Sequence, residues 1–403
     1  MNNRLIVILL IFFSTLTVFS QGHDSLYHKT ANIFKPSVVS THPSGIFLSR
    51  IQGNFNFAPT ESTKINLSVE SGNVWSPPVV AYIPNQTSDR DFISQFPWHV
   101  REFAVDVDTL DAKSLKVASD GVIKGFRPNI RFKLNTTSEL KIGMRLFLLS
   151  GGKAPFSLVT NDNFIEYFHD NIAGGDDPFD RGLYPKNKAS LLFKDRNDNQ
   201  VNIKRGDVFL NGFEFTHLFY PEFLKNEERH LYFNIATHVG LNTSQYNSSI
   251  DFGIGINAMK QYAYKQVGLF NIGFNLGINR LNLFDLKSSN VEFASNDYLA
   301  NIETIIEYNF FSKGKTRHAF GLDFYIQTSL YKTDEFDYLI PTKNGTSFKS
   351  WNMGTENLYK NNNYWTLMYT FQKKGSMTFY LQQDLTVNNN PDIQAGINII
   401  FEL

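Results

Sequence analysis

The stretch 392–403, DIQAGINIIFEL, decides the fold. Ile393, Ala395, Ile397, Ile399, Phe401 and Leu403 fall on one parity, and Asp392, Gln394, Gly396, Asn398 and Glu402 on the other, with Ile400 alone out of place. Side chains of a strand alternate between its faces, so this is a strand with one apolar and one polar face. The same alternation recurs upstream. Leu140 to Leu148 alternates with Glu139, Lys141, Gly143 and Arg145. Ile250, Phe252, Ile254 and Ile256 alternate with Asp251, Gly253, Gly255 and Asn257. Ile272 to Ile278, Ile302 to Phe310, Phe320 to Ile326 and Met377 to Leu385 repeat it. A 3.6-residue helical period fits none of these runs. At about 9 to 14 residues, the strands have the length that a tilted strand needs to cross a bilayer.

Connection lengths point the same way. Inward connections near 135–138, 220–229, 261–264, 312–315 and 373–375, most of them tight, alternate with outward ones near 151–205, 242–247, 282–297, 331–361 and 387–391, several of them long. Short turns at one end and long loops at the other are the pattern of a transmembrane barrel in the outer membrane of a bacterium. The expected fold is therefore all-β: a transmembrane antiparallel up-and-down β-barrel of 14 strands, with 12 as the alternative, since single-chain bacterial barrels have even counts. Reaching 14 requires 45–57 and 63–71 to form a hairpin and 101–107 to form a strand. Prolines in 72–99 predict mostly loop there. Aromatic pairs near strand ends, Phe310 with Phe311, Tyr364 with Trp365 and Tyr369 with Phe371, are expected in interfacial girdles.

The N-terminus carries Arg4, an apolar run from Leu5 to Phe13, and small residues at Val18 and Ser20. That pattern predicts a signal peptide over 1–20, cleaved on export. Residues 21–44 are then expected as a periplasmic extension and 45–403 as the barrel. The chain of 403 residues has formal net charge +0 and no cysteine. Charge balance gives no basic field for nucleic acid, and the absence of cysteine excludes disulfides, thiol catalysis and thiolate metal sites.

The most unusual segment is 161–188, NDNFIEYFHDNIAGGDDPFDRGLYPKNK. Phe164, Ile165 and Phe168 share one face of a short helix, with Glu166 and His169 beside them, and Asp176, Asp177, Asp180 and Arg181 follow. A plug or lid segment is the expectation. A Ca²⁺ site built from hard oxygen ligands is the alternative, but the acidic spacing does not match an EF-hand, and no metal site and no cofactor is assigned. The polar parity places Lys141, Arg145, Asp251, Glu303, Glu307, Asp323 and Asp384 as candidate lumen charges, where groups of opposite sign would set a transverse field.

The stretch 72–206 resembles an uncharacterised bacterial family known only as a domain of unknown function and presumed to lie in the outer membrane. The resemblance rests on Asp120-Gly121 before a long strand, SELKIGMRLFLLSGG (138–152), NFIEYFHD (163–170) and Arg181. The export signal and the Asn-, Lys- and Phe-rich composition resemble those of Bacteroidetes proteins. The family carries no established activity, so no functional residue follows from it.

A passive pore or transporter for small or lipophilic molecules is the expected function. The alternative is a structural or surface-ligand-binding barrel with a plugged lumen. A lipid hydrolase using His169, His217 or His238 with Ser249 or Ser329 is the remaining reading. No nucleophile elbow supports it, so no enzymatic activity is expected. Expected partners are outer-membrane lipid, the barrel-assembly machinery through the C-terminal strand, and an unknown solute or surface ligand.

Overall fold

The computed structural model describes residues 30–36, 42, 44–96, 100, 104–153, 157–172, 185–264, 268–312, 316–336, 338, 340–341, 360–384 and 393–403. Its strands are β1 (Lys64–Pro84), β2 (Ala112–Asn135), β3 (Ser138–Ser150), β4 (Ser190–Lys194), β5 (Gln200–Lys204), β6 (Val208–Phe219), β7 (Leu231–Thr243), β8 (Ser248–Tyr264), β9 (Gly268–Asp285), β10 (Tyr298–Phe311), β11 (Arg317–Gln327), β12 (Ile340–Pro341), β13 (Asn362–Gln372), β14 (Ser376–Asp384) and β15 (Ile393–Glu402). β1, β2, β3, β6 to β11 and β13 to β15 pair antiparallel in succession. β15 then pairs back onto β1, from Lys64↔Glu402 to Gly72↔Gln394, while β1 also pairs with β2. The sheet is thus a closed barrel of 12 strands. β4 and β5 lie outside it on an extension of β2, and β12 lies on an extension of β1.

The wall has 12 strands and not 14 because two expected strands are absent from it. Within 45–57, Gly45–Phe47 is a 3-10 turn and the remainder is extended chain inside the barrel. Of 101–107, residues 101–103 lie outside the described residues. Val107 opens a 3-10 turn, Val107–Thr109, where the Asp106 side chain accepts from Asp108 N; such a local Asx contact competes with strand formation. The Pro-rich start of 72–99 is strand and not loop as far as Pro84. The register shifts between Ser76 and Val79, so Pro77 and Pro78 sit at a bulge, where a missing donor is tolerated.

Turns close one end and long connections the other. At the turn end β2 passes to β3 through Thr136 and Thr137, where Asn135 Oδ1 accepts from Thr137 N at 2.9 Å. At the loop end a helix α1 (Thr87–Ser94) follows β1, and α2 (Asp162–Asn171) lies between β3 and β4. A bulge between Arg145 and Leu146 is matched on β6 by Gly212, at φ +146°, where a Cβ would collide with Leu241 O.

The alternation of the sequence becomes an alternation of exposure. On β8, Phe252, Ile254 and Ile256 are exposed while Asp251, Gly253, Gly255 and Asn257 are buried. Exposed Phe126, Ile130, Phe215, Leu276, Ile278, Ile302, Phe320, Phe324, Leu367 and Phe379 continue the outward band around the barrel. An apolar band on the outside of a closed barrel suits lipid and would be costly in water. Toward the turn end, rings pack in tilted pairs on the outer face: Phe270 with Tyr308 at 4.8 Å and Phe320 with Tyr369 at 5.0 Å. Tyr364 departs from the girdle expectation. It is on the inward parity, buried and stacked on Tyr325 at 4.8 Å, while Trp365 is its outward neighbour.

Ile256 is half exposed near the middle of β8. Ile256→Arg is expected to destabilise the barrel in lipid vesicles by about 2–4 kcal/mol, the cost of a cation at mid-bilayer. A denaturant titration in vesicles reads this; wild-type stability would mean that this face does not meet lipid.

Candidate functional site

The lumen is occupied by the chain's own residues 30–36 and 44–60. The two limbs of this segment meet at the turn end, where Asn32 bridges Asn56 and Phe57 N donates to Ala31 O at 3.0 Å. One limb rises along β10 and β11. Phe34 N donates to Glu307 Oε2 at 2.8 Å, and Lys35 Nζ meets Glu303 at 2.5 Å. Arg317 donates to Asn32 O, pairs with Glu307 at 2.9 Å and lies over the Phe34 ring. The segment tops out at the loop end. There Ser44 Oγ shares a hydrogen bond with Tyr331 OH, and Ile46 O accepts from Asn211.

The second limb descends along β7 to β9. Ser49 donates from both N and Oγ to Asp251 Oδ2, each at 2.8 Å, and its carbonyl accepts from Asn279 at 3.0 Å. Leu48 O accepts from Arg145 at 2.6 Å. Asn54 N donates to Asn257 Oδ1 at 2.9 Å and Thr60 N to Glu139 Oε2 at 2.8 Å. An asparagine ladder crosses four strands behind this limb: Asn301 donates to Asn275, Asn275 to Asn257 and Asn257 to Asn234, which donates to Asn54 O.

Glycines on the inward parity make room for the segment. A Cβ at Gly255 would lie 3.0 Å from Ile51 Cδ1, and one at Gly273 would lie 2.6 Å from the Phe55 ring. Close approach of a second piece of chain is one reason for glycine inside a strand. The same glycines on the sequence suggest only a wet lumen.

The candidate residues within the described part of the chain have definite places. Arg145, Asp251, Glu303, Glu307 and Asp323 are buried inside the barrel. The first four bind the inner segment, and Asp323 lies beside Glu303 on the neighbouring strand. Lys141 faces a cavity, and Asp384 is half-buried at the loop end of β14. Phe164, Glu166, Phe168 and His169 sit on α2, capped by Asn161 Oδ1 accepting from Phe164 N. Asp162 at its start accepts from Asn73, and Thr160 bonds Ser71, so the helix docks on the loop-end rim of β1. Glu166 pairs with Lys186, and the Phe164 and Phe168 rings stack. The middle of the lumen is filled by residues 30–36 and 44–60 and not by this helix. Asp176, Asp177, Asp180 and Arg181 lie outside the described residues. His217 shares the outward parity of Phe215 and Phe219. His238 lies within 3.3 Å of Ser49 Oγ, but that hydroxyl donates to Asp251, so its proton is committed to the anchor. Ser249 bonds Asn242 and Asn282, and Ser329 bonds Tyr331 O; no described contact joins either to a histidine.

Sequence reasoning missed the inner segment, with its Lys35, Ser49, Arg50 and Asn54, and the inward wall residues Glu70, Arg127, Arg131, Glu139 and Glu214. A signal was present in 45–57, GIFLSRIQGNFNF: Ile46 and Leu48 lie on one parity, but Ile51, Phe55 and Phe57 lie on the other. A wall strand keeps one parity outward. In the structure no residue of 45–57 is exposed.

Charge is sorted across the lumen. Glu303, Glu307, Asp251 and Asp323 line the β8 to β11 side, while Arg127, Arg131, Lys141 and Arg145 line β2 and β3. On the basic side, Arg127 meets Glu70 at 3.9 Å and Glu214 at 3.6 Å, Arg145 meets Glu214 at 3.4 Å, and Arg131 meets Glu139 at 3.2 Å. Between the segment and the strands β1 to β3 and β13 to β15, a cavity of about 90 Å³ remains, open toward the turn end. At the loop end the lumen is capped by an apolar cluster joining Ile46 and Phe47 to Leu191, Phe193, Val201, Phe293 and Tyr331. Phe47 stacks on Phe293 at 5.2 Å.

No protein-family model matches the chain, and no curated protein matches it. Solved structures similar to it include an outer membrane channel from Pseudomonas putida F1, with 9% identity, TM-score 0.38, and coverage of 86% of this chain and 98% of that one. The transport unit of the autotransporter AIDA-I from Escherichia coli shows 7% identity and TM-score 0.36, covering 85% and 91%. A Pseudomonas aeruginosa FadL homologue shows 9% identity and TM-score 0.30, covering 90% and 92%. Likeness at this level carries nothing over to this chain, whose barrel rests on its own strand pairing.

Asp251 takes hydrogen bonds from Ser49 N, Ser49 Oγ, Asn242 Nδ2 and Asn282 N. Asp251→Ala orphans these donors, at about 1–3 kcal/mol for a buried one. Trypsin cleavage after Arg50 in the folded barrel is expected to accelerate at least tenfold; an unchanged rate would mean that Asp251 does not hold the segment.

Proposed function

We propose that the chain is a transport barrel of the bacterial outer membrane whose conduction is gated by residues 30–60. The observation that carries this reading is the way the segment is held. Below the loop-end cap it makes hydrogen bonds and ion pairs with inward side chains on β3 and β7 to β11, interspersed with apolar contacts of Ile33, Phe55 and Phe57 with Met259, Ile305 and Met368 and of Ile51 with Leu218 and Ala236. A neutral contact of this kind is worth only about 0.5–1.5 kcal/mol net and a charged one about 1.5–3 kcal/mol, because water replaces it when it breaks. A segment held so can shift within a wet lumen without dismantling the wall, whose backbone bonds run between strands. The polar lining favours small polar solutes over lipophilic ones. A barrel that stays filled and serves as a surface scaffold is the second reading, and the apolar cap around Phe47, Phe193 and Phe293 favours it.

The two readings part in a cross-linking experiment. The chain has no cysteine, and a Cβ at Gly253 would lie 3.4 Å from Ile51 Cβ, close to the roughly 3.5–4.5 Å of a disulfide. Ile51→Cys with Gly253→Cys should therefore lock the segment to β8. In planar bilayers the oxidised protein is expected to be silent and the reduced protein to show openings. Equal conductance in both states would remove the segment as the gate. Silence in both, persisting after deletion of 30–60, would favour the filled scaffold.

A further inference from the structure

The cavity beside the inner segment is lined by the cations Lys35, Lys64, Arg131 and Lys141 and by a single carboxylate, Glu402. Three of the cations are already matched: Lys35 by Glu303 at 2.5 Å, Lys64 by Glu402 at 3.2 Å and Arg131 by Glu139 at 3.2 Å. Lys141 has no hydrogen-bond or ion-pair partner among the described residues. The carboxylates within the basic wall are committed elsewhere. Glu214 is shared by Arg127 and Arg145, Glu70 also meets Arg127, and Glu139 serves Arg131, Tyr220 and Thr60. Arg127 and Arg145 thus form one group with Glu70 and Glu214, Arg131 and Glu139 form another, and Lys141 belongs to neither.

Lys141 also reaches a smaller inner cavity lined by Arg50, Gln52, Asn54, Arg131, His238 and Glu214, the last of these being the carboxylate that Arg127 and Arg145 share. It therefore stands where two spaces join, among amide and guanidinium donors. A recessed cation with no carboxylate at ion-pair distance is costly unless an anion of another source comes to it. At about 90 Å³ the outer space holds about six waters, at roughly 15 Å³ each, or one small oxyanion with fewer.

We propose that Lys141, with Arg131 and the amides of Gln52 and Asn54, forms a binding site for a small free oxyanion, a phosphate or short carboxylate, entering from the turn end. This names the solute class of the gated barrel and rests on that reading for its role in transport, whereas binding itself is measured on the closed protein. The ammonium supplies the charge that the Arg–Glu groups do not neutralise. The amides supply donors without adding charge, so release stays easy.

The test is a titration of the detergent-purified full-length barrel with inorganic phosphate at constant ionic strength, read by calorimetry and by melting temperature. Saturable binding is expected for the wild type and for Lys141→Arg, and at least tenfold weaker binding for Lys141→Gln. Lys141→Gln without phosphate should melt no lower than the wild type, because it loses a charge that nothing pairs. On the wild type alone, phosphate should slow acetylation of Lys141 and leave that of exposed Lys133 unchanged, which keeps the test valid if the variant does not fold. No saturable binding, or a Lys141→Gln affinity within threefold of the wild type, or phosphate-independent labelling of Lys141, overturns the site. None of these results bears on the disulfide lock, so failure of the site and failure of the gate remain distinguishable.

Discussion

Pairing of β15 with β1, from Lys64↔Glu402 to Gly72↔Gln394, is the constraint on which the remaining structure depends. A bilayer offers no water to an unpaired N–H or C=O, so a sheet that spans it must have no edges. Closure joins the last strand to the first across most of the chain. It also creates an inside, and every later feature answers the question of what occupies it.

Twelve strands enclose too much space for wall side chains to fill alone with short polar groups such as Asn, Gly, Ser and Thr. The chain fills it with a hairpin-like segment drawn from before β1. The fit is geometric on one side, where Gly253, Gly255, Gly273 and Gly277 leave hollows for Ile51 and Phe55. It is electrostatic on the other, where Glu303, Glu307 and Asp251 receive Lys35, Phe34 N and Ser49. The asparagine ladder from Asn301 to Asn54 links both, because an amide donates and accepts and so passes one bond across each strand. The remaining space falls beside the basic wall.

Strand identity, inward and outward parity and the sorting of turns and loops were legible in the sequence because they are local. Alternation in DFGIGIN, 251–257, follows from the pleat alone, and the short connection at Thr136–Thr137 follows from one Asx turn. The same local rules misread 45–57 as wall. Extended backbone looks alike whether its partner is a neighbouring strand or the inside of the barrel. Only the parity switch between Leu48 and Ile51 marked the difference, and it becomes meaningful once both faces are seen to be covered.

The sequence by itself determined the membrane-spanning length of the strands, which of their residues face outward, and the even, antiparallel character of the sheet. Tertiary structure alone decided the strand number, the identity of the segment in the lumen and the pairing of the inward charges. The physical reason is that periodicity reports the two faces of a strand, while the partner of Asp251 or Glu303 lies more than two hundred residues away. That partner is chosen only when closure brings both ends of the chain to one wall.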